Sequence, residues 1–166
     1  MTPIKRFSIS YSPEEDRLVC DTEDVSGDTT RLFLTQRLCR VLIPAILPML
    51  QKAQNGAAPV EHQAAVQSFE QAAALANFGK LPPVKPKTET VVGLITTAHL
   101  TPTPTGINLA LEFGGGQQRA LGLTFAEVRQ MLAVIHRLHI TAAWPLDQWP
   151  AWIMGEAEAA PRAALN

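Results

Sequence analysis

His136 and His139 stand three residues apart, a spacing that sets two imidazoles on adjacent turns of a helix where they can grip one metal ion. Further ligands would have to come from His62 or His99, on other elements, and no carboxylate shares the helix face. His139 also falls inside an apolar stripe, so the pair reads as core or rim histidines and no metal is expected. Glu14, Glu15, Asp16, Asp21, Glu23, Asp24 and Asp28 offer carboxylates for a cation site or an acid–base pair. They lie at turns and strand ends and match no calcium-loop spacing, so they read as a solvated surface. Gly114-Gly115-Gly116 lacks a following Lys-Ser/Thr and precedes a strand, which makes it a hairpin turn and not a phosphate cradle. Cys20 and Cys39 form no Cys-x-x-Cys pair and read as reduced structural thiols. With no Gly-x-Ser-x-Gly elbow and no nucleophile beside a base, the expectation is a non-enzyme with no catalytic residue and no cofactor.

Charge and hydropathy narrow the classes further. Among 166 residues, 14 Lys and Arg face 15 Asp and Glu, for a net charge of -1, so no bulk field draws nucleic acid or an anionic membrane. The first residues turn acidic at Glu14-Glu15-Asp16 without the apolar run of a signal peptide. The longest apolar run, Val41 to Leu50, contains two prolines and is too short to span a bilayer. The expectation is a cytoplasmic protein with no membrane partner.

The elements that carry these residues recur. Sliding Phe7–Leu50 onto Thr96–His139 without a gap, an offset of 89, superposes Pro13 on Pro102, Gly27 on Gly116 and Leu32 on Leu121. It also superposes Leu34-Thr35 on Leu123-Thr124, Arg40 on Arg129 and Ile46 on Ile135. Each copy alternates apolar and polar residues in three segments: Phe7–Tyr11, Leu18–Cys20 and Leu32–Leu34, then Val92–Leu100, Ile107–Leu111 and Leu121–Leu123. Each then enters a helix through a threonine N-cap, and Thr124-Phe125-Ala126-Glu127 has capping-box spacing. The second helix is amphipathic: Val128, Met131, Leu132, Ile135 and His139 share one face, with Arg129, Gln130, Ala133 and Arg137 away from it. The first helix is apolar nearly all round from Leu38 to Leu50, with Pro44 and Pro48 predicting a kink or break near Arg40.

The fold class expected is α+β: an internal duplication of a three-strand antiparallel meander plus helix, pseudo-twofold, in one antiparallel sheet or two packed meanders. Residues 4–53 form repeat one, 59–78 an inserted helix with a Val66, Phe69, Ala73 and Ala76 stripe, 79–89 a proline-rich spacer and 90–143 repeat two. Residues 144–154 form a Trp-rich C-terminal arm and 155–166 a flexible tail.

The over-apolar first helix needs a second cover, from the inserted helix or from another molecule. With the arm it points to a protein-interaction or assembly module, an accessory subunit or homodimer. Leu38, Val41, Ala45, Trp144, Trp149 and Trp152 are the candidate partner-binding residues. The tryptophans have an alternative role as a plug for the core.

As architecture, the layout resembles the whirly and purine-rich-element-binding proteins, whose repeats have four strands where this chain has three. That resemblance implies single-stranded nucleic acid as an alternative partner, with Arg17, Arg31 and Arg119 among the outward sheet positions. A third reading is a small-ligand-binding protein or enzyme whose pocket between repeats is lined by His99, His136 and His139.

Overall fold

Six alternating segments become six strands in the structure, a computed structural model that describes residues 1–154. The tail expected at 155–166 lies outside the described residues. The strands are β1 (Thr2–Ser12), β2 (Arg17–Asp24), β3 (Thr29–Leu34), β4 (Val91–Thr103), β5 (Gly106–Phe113) and β6 (Gln117–Thr124). Helix α1 (Gln36–Gln54) follows β3, α2 (Val60–Ala76) comes next, and α3 (Phe125–Thr141) follows β6. A short helical turn covers 151–154. The protein is thus a mixed α+β fold. No helix among the described residues is long and apolar enough to cross a membrane.

The sheet is neither one antiparallel sheet nor two packed meanders. β1-β2-β3 and β4-β5-β6 are antiparallel meanders, but β3 pairs with β4 and β1 with β6 in parallel, closing a barrel. Closure pairs the edges that two separate meanders would leave, over four residue pairs at β3–β4 and two at β1–β6. Over β2–β3 and β5–β6 the registers coincide at an offset of 89: Leu18 opposes Leu34, and Ile107 opposes Leu123. The ungapped match fails in the first strand, however. Ser12 pairs with Arg17 across a four-residue turn, whereas Thr103 pairs with Gly106 across a two-residue one, so Pro13 and Pro102 do not correspond.

Both threonine caps form. The Leu38 amide donates to Thr35 Oγ1 at 3.1 Å, and Thr124 and Glu127 make the reciprocal capping box. Of the kink or break expected near Arg40, the break does not occur: α1 runs continuously through Pro44 and Pro48. Both prolines lie on its exposed side, so the carbonyls deprived of donors can be met by water. One cluster unites Leu18, Leu32, Leu109 and Leu121 of the strands with Leu42, Ile46, Leu132 and Ile135 of the helices.

Residues 79–89 are no free spacer. The segment crosses the outside of the first meander, where the Val84 amide donates to Ser8 Oγ at 3.1 Å and the Lys87 amide to Thr29 Oγ1 at 3.1 Å. Val84 itself is 5% exposed. The strap carries the chain to β4, beside β3.

Gly106 marks the tightest approach in the barrel: a Cβ there would lie 1.8 Å from the Leu123 carbonyl oxygen. Gly106→Ala must therefore force β5 from β6, with an expected loss of about 3 kcal/mol in urea denaturation. Gly79→Ala, which meets nothing within 4 Å, should stay within about 0.5 kcal/mol of wild type. Equal effects from the two would refute this packing.

Candidate functional site

The apolar surface of α1 begins with its sequence. Leu42, Ile43, Ile46 and Leu50 recur at helical spacing and are buried, which leaves the other side of the helix outward. That side carries Val41, 66% exposed, with Pro44, Ala45 and Pro48 also exposed and Leu38 half-buried at its margin. Arg40 lies beside Val41 and forms a bidentate ion pair with Asp147 at 3.0 and 3.1 Å. Three of the expected partner-binding residues, Leu38, Val41 and Ala45, thus lie on one helix face.

α2 does not cover this face. It packs chiefly on α3, with Gln67, Gln71 and Ala74 inward. The expected stripe faces elsewhere: Phe69 is 71% exposed, Ala73 and Ala76 are exposed and Val66 is half-buried. The cause is Arg129, expected to lie away from the buried face and found wholly buried. A buried guanidinium needs acceptors for its N–H donors. Arg129 Nε donates to Gln54 Oε1 at 2.9 Å, Nη1 to the Gln67 carbonyl at 3.3 Å and to Gln71 Oε1 at 3.4 Å, and Nη2 to Gln67 Oε1. Its plane also lies 5.0 Å from the Trp152 ring centroid. Burial pushes its pKa down to about 10, against the pull of Glu70, so it remains charged at neutral pH. An amphipathic-stripe analysis favours Phe69 and misses such a polar seam; the Gln67/Gln71 spacing on α2 was the signal available.

The tryptophans take the core role, and the docking reading is corrected for Trp144, Trp149 and Trp152, all buried in the main cluster. Trp144 Nε1 donates to Asp16 Oδ1 at 2.9 Å, and Tyr11 donates to the same oxygen at 2.8 Å. Those two bonds, the tryptophan's first, hold the Asp16 pKa below the usual carboxylate value. Large rings on a short arm bury more apolar area inward than they could outward.

The histidines do not share a pocket. His99 is on β4, 3.8 Å from Glu112 and largely exposed, while His136 and His139 are buried against Trp149, with ring centroids at 5.1 and 5.3 Å. Among the described residues no three His, Cys, Asp or Glu side chains are grouped to hold a metal ion. Cys20 and Cys39 are buried free thiols, each pushed up to about 12 by burial. That value leaves them protonated and unreactive at neutral pH.

Of the nucleic-acid candidates, Arg31 makes a bidentate pair with Asp21 at 2.8 and 2.9 Å, and Arg17 lies 3.7 Å from Glu15. Arg119 corrects its expected outward position. It shares the inward face with Leu121 and Leu123, donates to Thr30 Oγ1 at 3.2 Å and stacks over Phe113. The sheet is closed into a barrel and not laid open as a curved platform.

No family model, no curated protein and no solved structure matches this chain.

Two measurements test the polar seam and the aromatic cluster. Arg129→Ala leaves buried glutamine groups unpaired and opens a cavity, so unfolding free energy should fall by about 3 kcal/mol; a loss under about 0.5 kcal/mol would contradict the seam. Burial lowers the pKa of both His136 and His139 from 6.5, aided in His136 by the neighbouring His139 and opposed in His139 by its bond to the Ile135 carbonyl. Near and below pH 6.5 the unfolded chain therefore holds more protons on these two residues than the folded one. Their contribution is complete above about pH 6.5 and is lost as pH falls below it. The melting temperature should drop between about pH 7 and pH 5, and less steeply in His136→Gln; an unchanged slope in that variant would exclude His136 as a source.

Proposed function

We propose that the protein is a non-enzymatic assembly module that docks through the outer face of α1. The observation that carries this is Val41, an apolar side chain two-thirds exposed amid Pro44, Ala45 and Pro48 on a helix whose other side is core. Contiguous apolar surface of this kind marks interaction sites.

Charge favours a second copy as the partner. With Arg40 paired to Asp147, α1 keeps Arg37 and Lys52 and carries no acid, whereas α2 carries Glu61 and Glu70 and no Lys or Arg. α2 also exposes Phe69 and Val60. Laying α1 of one molecule on α2 of the other, twice over, gives a self-complementary interface of matched sign. Single-strand binding has less support, since Arg17 and Arg31 face carboxylates and Arg119 turns inward.

Light scattering across a concentration series should give a dimer for the wild type. Val41→Glu should weaken association by about 2 kcal/mol, roughly thirtyfold, with unchanged circular dichroism and melting. Phe69→Glu should do the same. A wild type that stays monomeric at every concentration, or a Val41→Glu dimer as tight as wild type, would overturn the reading.

A further inference from the structure

The two parallel seams of the barrel are not alike. β3 and β4 hold four pairs, Thr30–Val91 to Phe33–Leu94, while β1 and β6 hold two, Thr2–Arg119 and Pro3–Ala120. Past Pro3 the register of β1 shifts between Ile4 and Arg6, and no strand pairs with its β6-facing edge among the described residues. The split is a groove of about 470 Å³, bounded by β1 from Ile4 to Ile9, β6 from Leu121 to Leu123, α3, and the segment 78–83. That size suits a ligand site.

The two seams also differ in one residue. Phe33, opposite Val19 in the first meander, corresponds by register to Gly122, opposite Asn108 in the second. Where the closed seam carries a phenyl ring, the open seam has no side chain.

The lining selects the occupant. Two strand edges present backbone donors and acceptors that a partner must satisfy when it excludes water. An acyl chain or flat aromatic ligand brings nothing to pair with them, whereas an extended peptide brings its own N–H and C=O groups. The charged side chains at the groove are Lys5, Arg6, Arg137 and Glu127. Glu127 already accepts from the Thr124 amide and hydroxyl at 2.8 and 2.9 Å. Arg6 lies 3.6 Å from Glu23, and its Nε is buried without a hydrogen-bond partner. Lys5 and Arg137, with Arg6 shared with Glu23, outweigh Glu127 at the groove, beside apolar walls that include Phe7, Phe78 and Val134.

We propose that the split between β1 and β6 binds an extended peptide segment of another protein, with alternating acidic and apolar residues, by strand addition. The site is separate from the outer face of α1, so each can fail without the other.

The test is selection of a random-peptide display library on the full-length protein, with each selected peptide measured by fluorescence anisotropy. Enrichment of acidic–apolar alternation is expected. Gly122→Phe, which sets a ring at a position lining the groove, its Cβ 3.0 Å from Asn108 Oδ1, should abolish binding. Arg6→Gln combined with Arg137→Glu should weaken it about tenfold or more. N-methylation of alternate peptide bonds should weaken it similarly, because pairing needs those donors. The last two comparisons decide the matter even if Gly122→Phe fails to fold. No enrichment, selection of basic peptides, indifference to N-methylation, or full binding by a folded Gly122→Phe would each overturn the proposal.

Discussion

Closure of the barrel is the constraint on which the rest of the structure depends. Each meander ends in two strand edges whose backbone groups need partners, and the edges meet pairwise in parallel at β3–β4 and β1–β6. A parallel neighbour cannot be reached by a tight turn, so the chain between β3 and β4 has to travel. α1, α2 and the strap 79–89 are that journey, and the strap's bonds to Ser8 and Thr29 bring it back along the outside of the first meander. The proline-rich composition suits the route, since an extended segment without regular pairing spans the distance at low entropic cost.

The same journey breaks the equivalence of the two halves. Arg40 and Arg129 occupy the same place after their threonine caps, yet one lies in solvent paired to Asp147 and the other is enclosed by Gln54, Gln67 and Gln71. α2 packs chiefly on α3 and touches α1 only near its C-terminal end. By lying on α3 it makes Arg129 part of a buried seam and leaves the corresponding side of α1 exposed. A polar seam is poorer in burial energy than an apolar one, but its donors and acceptors fix the angle and register of α2 more narrowly. The apolar residues left outside, Val41 on α1 and Phe69 on α2, follow from that choice.

The arm closes the other side. Its tryptophans meet His136 and His139 edge-on, and Asp16, held at φ 47 in the β1–β2 turn, accepts from Trp144 across 128 positions of the chain. A metal-like histidine spacing thereby resolves into core packing, where the imidazoles serve as flat fillers: His139 Nδ1 meets the Ile135 carbonyl, while His136 Nε2 is buried without a partner.

Local sequence determined the strands, their turns and both helix starts. Alternation with period two, the Gly114–Gly116 turn with its positive φ values, and the Thr35 and Thr124 caps are short-range physics, legible without any partner element. The buried face of α3 and the inert cysteines were legible for the same reason. Closure into a barrel, the fate of Arg129 and Arg119, the inward turn of the tryptophans and the exposure of Phe69 were not. Each depends on which surface arrives from a distant part of the chain, and side-chain type alone does not say whether a guanidinium meets water or three glutamines. The candidate face was half legible: the excess apolarity of α1 was written in residues 38 to 50, while its lack of cover was decided only when α2 settled on α3.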